Sequence, residues 1–245
     1  MDLSHLSVLE ERLGHVFRDR SLLLQAVTHR SYLNEHSDFP HDHNERLEFL
    51  GDAVLELVVT EHLYKTYPDP EGTLTNWRAA IVNAKTLAGI SRDLHFEEFL
   101  LLSKGEARDK DSKARMYILA NAIEAIIGAI YLDGGMPVAE VFIHAHVLSI
   151  LPRIIELELY VDAKSKFQET AQEMLGITPT YKVLDEEGPD HQKEFLVGVF
   201  LDKELVASGK GTSKQEAQLA AAEAALEKKG WRGKPGAVAK APAIR

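Results

Sequence analysis

Three carboxylates stand at fixed spacing in an otherwise apolar stretch, ERLEFLGDAVLELVV, residues 45–59. At about 100° per residue, Glu45, Glu48 and Asp52 fall within about 60° of one another on a helix, and Leu47, Leu50, Val54 and Leu57 gather on roughly the opposite side. One face is acidic and the other is core. A solvated face usually mixes Lys and Arg among its acids to gain i,i+4 pairing, yet Arg46 is the only base between Glu45 and Glu61. Phe49 lies about 40° from the acidic direction, so an aromatic ring stands beside the carboxylates. A ring in that position wants a pocket, such as one in a partner.

A second polar pair, Asn121 and Glu124, interrupts ILANAIEAIIGAIYLD, a run apolar nearly all round and so the pattern of a buried helix. A carboxylate buried there is costly unless it is paired or coordinates a cation. If the two helices pack with these faces together, Glu45, Glu48, Asp52, Asn121 and Glu124 converge as an all-oxygen cluster. Hard oxygen ligands without Cys or His favour Mg²⁺ or Mn²⁺. Such an ion acidifies water and offsets charge developing on a phosphodiester, so no histidine base is needed. The 11 histidines are scattered, and His41-Asp42-His43 reads as a solvated loop cluster, with an HD-type phosphohydrolase pair as the minor alternative.

The elements that carry these residues follow from periodicity and breakers. Residues 4–13 and 19–27 read as short helices, and 31–43 as a loop ending at Asn44, the expected N-cap of the acidic helix. That helix should run to about Tyr67, before Pro68 and Pro70. Further helices are expected over 73–94, with Trp77, Ile81 and Leu87 inward, over 109–132, ended by Gly134-Gly135, and over 138–151. Nothing up to Leu159 alternates like a strand. Beyond Asp162 a helix over 163–175, strands over 179–185, 194–201 and 204–208, and an Ala-rich helix over 213–229 follow in the order α-β-β-β-α. The alanines at 217, 220, 221, 224 and 225 let the last helix approach the sheet closely. The expected fold is therefore multidomain: an all-α domain over 1–155, a linker at 156–162, a small α+β domain over 163–230, and a basic, disordered tail over 231–245.

The chain of 245 residues has room for one sizeable core and a small second one. It holds no cysteine, hence no disulfide and no thiolate metal site. The sequence shows no apolar run of membrane-spanning length and no secretory signal over 1–20, so a soluble, cytoplasmic protein is expected. The net charge of −10 divides unevenly. Residues 1–161 carry 15 Lys+Arg against 25 Asp+Glu, whereas residues 162–245 carry 13 of each, and no acid follows Glu227. A basic end behind an acidic body fits polyanion binding attached to a metal-binding body.

NERLEFLGDAVLELVV (44–59) closely resembles the signature helix of the ribonuclease III family, endonucleases that cut double-stranded RNA. The resemblance extends through EGTLTNWRAAIVNAKTLA (71–88), LSKGE (102–106) and ILANAIEAIIGAIYLD (118–133), and then through the second domain. It implies Glu48, Asp52 and Glu124 as catalytic and metal-site carboxylates, with Glu45 in the acidic cleft. Asn121 stands where the family commonly has Asp, which removes a charge but keeps a carbonyl oxygen. Phe49 matches the dimer-contact aromatic, which implies a homodimer with one cluster for each RNA strand. The second domain resembles the double-stranded-RNA-binding domain, which reads A-form shape with little sequence specificity. By that match Gln168, Gln172 and His191 meet minor grooves, and Lys210, Ser213, Lys214 and Gln215 meet phosphate at a helix N-terminus. Gln215 replaces the second residue of the usual Lys-Lys pair, a contact the basic tail would compensate. The resemblance further implies Mg²⁺, with Mn²⁺ able to substitute, no small-molecule cofactor, products with 5′-phosphate and 3′-hydroxyl ends, and a role in processing ribosomal and other RNA precursors. The alternative is a non-catalytic double-stranded-RNA-binding dimer, to which Asn121 and Gln215 would point; intact Glu48, Asp52 and Glu124 favour the enzyme.

Overall fold

The computed structural model describes residues 3–158, 160, 162–189 and 193–231. The chain divides into two units, Met1–Ile155 and Glu156–Arg245. In the first, the helices are α1 (Leu3–Leu13), α2 (Arg20–Ala26), α3 (Arg30–Glu35), α4 (Glu45–Thr66), α5 (Glu71–Ile81), α6 (Ala84–Asp93), α7 (Lys104–Arg108), α8 (Lys113–Gly134), α9 (Met136–His146) and α10 (Leu151–Glu156), with a 3-10 turn at Phe96–Phe99.

The centre of this unit is the pair α4 and α8. Ile118, Leu119, Ile123, Ile126, Ile127 and Ile130 of α8 are buried, as are Leu47, Val54, Leu55, Val58, Val59 and Leu63 of α4. Each such side chain contributes about 1.5–3 kcal/mol when fully buried. Two glycines set how closely the helices approach. A Cβ on Gly51 would fall inside the backbone carbonyl of Glu124, and one on Gly128 inside that of Leu47. The backbones therefore touch at this crossing, and the acidic faces are drawn toward a common cleft.

Several sequence expectations are corrected. Asn44 does not cap α4: its backbone is already helical (φ −81°, ψ −9°) and its side chain makes no cap bond. It is 3 % exposed, its Nδ2 donates to the Ala26 carbonyl at 3.3 Å and its N–H to Thr28 at 2.9 Å, so it ties the start of α4 to the end of α2. The helix expected over 73–94 is two, because Asn83 takes extended backbone and accepts the Thr86 N–H at 2.9 Å, while its Nδ2 donates to Ala80 O at 2.7 Å. One side chain thus caps both ends. The expected loop over 31–43 contains most of α3, and Ser112, whose Oγ accepts the Arg115 N–H at 3.1 Å, starts α8 four residues later than expected. The expected helix over 138–151 is α9, a 3-10 turn and α10. A single parallel bridge, Thr28 to Leu101, is the one strand-like pairing among the described residues of this unit. By length and composition α8 and the Met136–Glu156 stretch are apolar enough to cross a membrane, against the sequence expectation. In α8 that apolarity is spent on the core: twelve of its residues, eleven of them apolar or glycine, are buried inside the unit.

The second unit holds α11 (Ala163–Leu175), β1 (Thr180–Glu187), β2 (Glu194–Leu201), β3 (Glu204–Gly211) and α12 (Lys214–Lys228). The sheet is antiparallel in the order β1-β2-β3, with Val197 opposite Val183 and Gly209. Phe167, Ala171, Val199, Leu201, Val206, Ala221, Ala222, Ala225 and Leu226 form the core. A Cβ on Gly209 or Gly211 would meet the backbone of α12 near Ala220–Ala221 or Glu216–Ala217. Close approach of this helix to the sheet therefore needs glycine on β3 as well as the alanines of α12. Asp162 caps α11 and Ser213 caps α12. His191 and the tail from residue 232 lie outside the described residues.

Candidate active site and RNA-binding face

Glu45, Glu48 and Asp52 lie in the first turns of α4, and Asn121 and Glu124 in the middle of α8, where Gly51 lets α4 touch the backbone of Glu124. The crossing brings four of these side chains into electrostatic contact. Asn121 hydrogen-bonds Glu48. Burial pushes the Glu48 carboxyl above its ordinary range, and the neighbouring Glu45 and Asp52 add to the effect while the bond from Asn121 opposes it. Glu124 is pushed up to about 8, first by burial and then by repulsion from Asp52, Glu48 and Glu56.

The acidic stripe is longer than expected. Glu56, one turn beyond Asp52, continues it, and its position at i+4 was available in the sequence. The two ends of the stripe are neutralised. Arg30 Nη1 lies 3.3 Å from Glu45 Oε1, and Arg78 Nε lies 3.1 Å from Glu56 Oε2 while its Nη1 donates to Thr60 Oγ1 at 3.0 Å. Between these ends Glu48, Asp52 and Glu124 have no Lys or Arg in ion-pair range among the described residues. Among the described residues, the middle of this acidic stripe is therefore the part left without a Lys or Arg counter-ion.

Among the described residues, no three His, Asp or Glu side chains already close around one metal position. The donor set still fits a hard divalent cation. Glu48, Asp52 and Glu124 act on one another electrostatically, Asn121 adjoins Glu48, the chain has no cysteine, and burial together with repulsion between the carboxylates favours a proton on Glu124 near neutral pH. A positive charge in the cleft relieves that repulsion.

Phe49 projects from the same end of α4 and is 82 % exposed. Leu57, expected on the core face, is instead exposed, because it lies about 60° from Val54 toward the Phe49 side, and with Tyr64 it extends an exposed apolar strip along the helix. The strip leads to a groove of about 640 Å³ whose lining includes Leu63, Tyr64, Tyr67, Pro68, Leu74 and Arg78.

In the second unit, Gln168 and Gln172 are exposed on α11, one turn apart. Lys164 precedes them by one further turn, and its Nζ donates to Gln218 of α12 at 2.8 Å, one turn after Lys214. The polar stripes of the two helices therefore adjoin. Ser213 accepts the Glu216 N–H at 3.2 Å through its Oγ, and Glu216 in turn accepts the Thr212 N–H at 2.9 Å. Lys214 and Lys193 share Glu186, at 3.2 and 3.1 Å, and both ammonium groups sit over the Phe195 ring. Lys193 was missed because it falls at the strand edge, outside any motif. Gln215 is exposed beside Lys214. Lys210 is set apart. Because Gly209 and Gly211 face α12, Lys210 between them points to the other face of the sheet, where Asp185, Glu187 and Glu194 surround it.

Comparison with known proteins follows this division. The Ribonuclease-III-like family model matches residues 19–151, and the double-stranded RNA binding motif matches residues 163–229. Ribonuclease 3 of Streptococcus gordonii is 44 % identical over 225 residues, covering 91 % of this chain and 95 % of the relative. Ribonuclease 3 of Carboxydothermus hydrogenoformans is 44 % identical over 229 residues, covering 93 % and 97 %. Among solved structures, a nuclease domain of ribonuclease III from Campylobacter jejuni aligns with a TM-score of 0.52 at 40 % identity, covering 60 % of this chain and 99 % of that one. Two domains matched in order, and relatives matched along nearly their whole length, make this chain a member of the ribonuclease III family of endoribonucleases.

Proposed function

We propose that the chain hydrolyses double-stranded RNA in a Mg²⁺-dependent reaction, leaving 5′-phosphate and 3′-hydroxyl ends, and that base-paired stems in ribosomal and other RNA precursors are its substrates. The observation that carries this reading is the uncompensated centre of the acidic stripe between two arginine-neutralised ends. Glu48, Asp52 and Glu124 would hold the cation, with the Asn121 carbonyl oxygen as a neutral ligand while its amide bonds Glu48. Mg²⁺, or Mn²⁺ in its place, supplies Lewis acidity at the phosphodiester and acidifies water for attack. Glu124 would have to be deprotonated to serve as a ligand, and Glu48, Asp52 and Glu124, fixed by the α4–α8 crossing, would define where the scissile phosphate is cut. In the second unit, Gln168 and Gln172 meet the minor groove, as would His191, while Ser213, Lys214 and Gln215 at the start of α12 meet phosphate. Lys210 contributes least, since it faces the other side of the sheet. Analysis of product ends tests the chemistry: fragments that accept a 5′ label only after phosphatase treatment fit the reading, and 3′-phosphate ends refute it.

The duplex has two strands, and one cleft cuts one of them. The reading therefore includes a homodimer about a two-fold axis, supported by the exposed ring of Phe49 and by the groove at the other end of α4. Phe49 and Tyr64 are 15 residues apart, about 22 Å along a helix. Antiparallel packing of α4 on a second α4 would carry each Phe49 toward the groove of the other copy, which buries both rings with one surface. The Campylobacter jejuni nuclease domain shows structural flexibility in a region involved in its dimer formation. Phe49→Asp is expected to give monomers in analytical ultracentrifugation at micromolar concentration. A dimer that persists removes Phe49 from the interface.

A further inference from the structure

An acidic cleft that must admit a polyanion needs attraction close to the cut, and Arg30 is placed to supply it. Arg30 opens α3 with its side chain 67 % exposed, and its ion-pair partner is Glu45, itself 46 % exposed. Two imidazoles lie near that carboxylate. His29 Nδ1 bonds the Ser31 hydroxyl at 2.8 Å, and burial lowers the pKa of its ring. His43 Nδ1 lies 3.4 Å from the Glu45 N–H donor nitrogen and 3.8 Å from the Glu45 carboxylate. Arg30, at 3.3 Å, is the nearer and permanently charged partner of Glu45, and Glu45 in turn acts electrostatically on Glu48.

The two arginines of the cleft are not equivalent. Arg78 is 35 % exposed and fixed by a second bond, to Thr60, so it belongs to the framework between α4 and α5. Arg30 has a single ion pair of a kind that adds little to stability, because both groups remain in water. Such a pair is readily exchanged. A phosphate offers the guanidinium two oxygens in the fork geometry it suits best, and it carries the charge that Glu45 now supplies.

We propose that Arg30 is a phosphate-binding residue of the nuclease unit, which releases Glu45 when duplex RNA enters the cleft and holds a backbone phosphate beside the one that is cut. The proposal rests on the duplex-RNA reading given above. Glu45 then keeps Arg30 extended and in place until substrate arrives, and so reduces what must be ordered on binding.

Binding of an RNA duplex by the full chain, measured in EDTA over a KCl series, tests this without any cleavage. Arg30→Gln is expected to flatten the plot of log K against log salt by about one unit, the loss of one phosphate contact. Arg30→Lys, which keeps the charge, is expected to restore the slope. In Mg²⁺, Arg30→Gln should raise KM severalfold and leave kcat nearly unchanged, with a melting temperature close to that of the wild type. An unchanged slope with unchanged KM overturns the proposal, as does a slope that Arg30→Lys fails to restore. If the wild type itself leaves duplex RNA uncut in Mg²⁺, it is the nuclease reading that falls, and the slopes in EDTA still decide the role of Arg30.

Discussion

Glu124→Gln is expected to bind duplex RNA as tightly as the wild type and to leave it uncut. Glu124 is the one carboxylate placed in the apolar middle of α8, and the amide that replaces it keeps the shape but loses the charge that a divalent ion needs. Losing several kcal/mol of transition-state stabilisation, about 4 kcal/mol, lowers kcat about a thousandfold. Wild-type cleavage by this variant would remove Glu124 from the site. The same substitution has a second readout in EDTA. The carboxyl is pushed from 4.5 up to about 8 in the folded protein, so the folded state binds this proton more tightly than the unfolded state does. Its favourable contribution is complete below pH 4.5 and is lost as pH rises through about 8. Metal-free wild type should therefore lose stability across that window in urea unfolding, and Glu124→Gln should flatten the profile there. Equal slopes for the two proteins would show that the carboxyl does not hold its proton.

Gly128→Ala is expected to be among the most destabilising single changes in the nuclease unit. The new Cβ would fall inside the Leu47 carbonyl, and backbone cannot rotate away as a side chain can. Overpacking of this kind costs about 3 kcal/mol, which for a domain of this size lowers the melting temperature by about 10 °C. Cleavage should fall with it even where the protein stays folded, because α4 and α8 part and the two halves of the acidic cluster separate. Gly89→Ala on α6 is the control. Nothing lies within 4 Å of a Cβ there, and alanine should be neutral or stabilising by about 0.5–1 kcal/mol. Melting curves that do not distinguish the two variants would mean that the crossing is not tight.

These two positions mark the boundary of what periodicity reveals. Glu45, Glu48, Asp52 and Phe49 stand out because a helix has a fixed period, so their shared direction is calculable from spacing alone. Asn121 and Glu124 stand out because polar groups in an all-apolar helix require a reason. That the two faces meet is a different kind of fact. It depends on Gly51 and Gly128, which have no pattern of their own, and on burial spread around α8.

The arginines were illegible for the same reason. Arg30 and Arg78 reach Glu45 and Glu56 from other helices, and no spacing rule links residues that pair only through tertiary structure. Local capping chemistry misled twice: Asn44 looked like a cap and is instead a buried tie to Ala26, whereas Asn83 sat unremarked in a long apolar pattern and broke it into two helices. Lys210 shows the cost of ending β3 at Ser208. Once the strand runs to Gly211, alternation sends this side chain to the face away from α12.

Cleavage of duplex RNA in the cleft is expected to require a divalent cation. Incubation of the purified wild-type protein with a long RNA duplex, once in Mg²⁺ and once in EDTA, tests it most directly. The predicted result is shortening of the duplex in Mg²⁺ only, into fragments with short 3′ overhangs, while a single strand of the same sequence is spared. A duplex that is bound but remains full length in Mg²⁺ would contradict the claim and leave a protein that only binds double-stranded RNA.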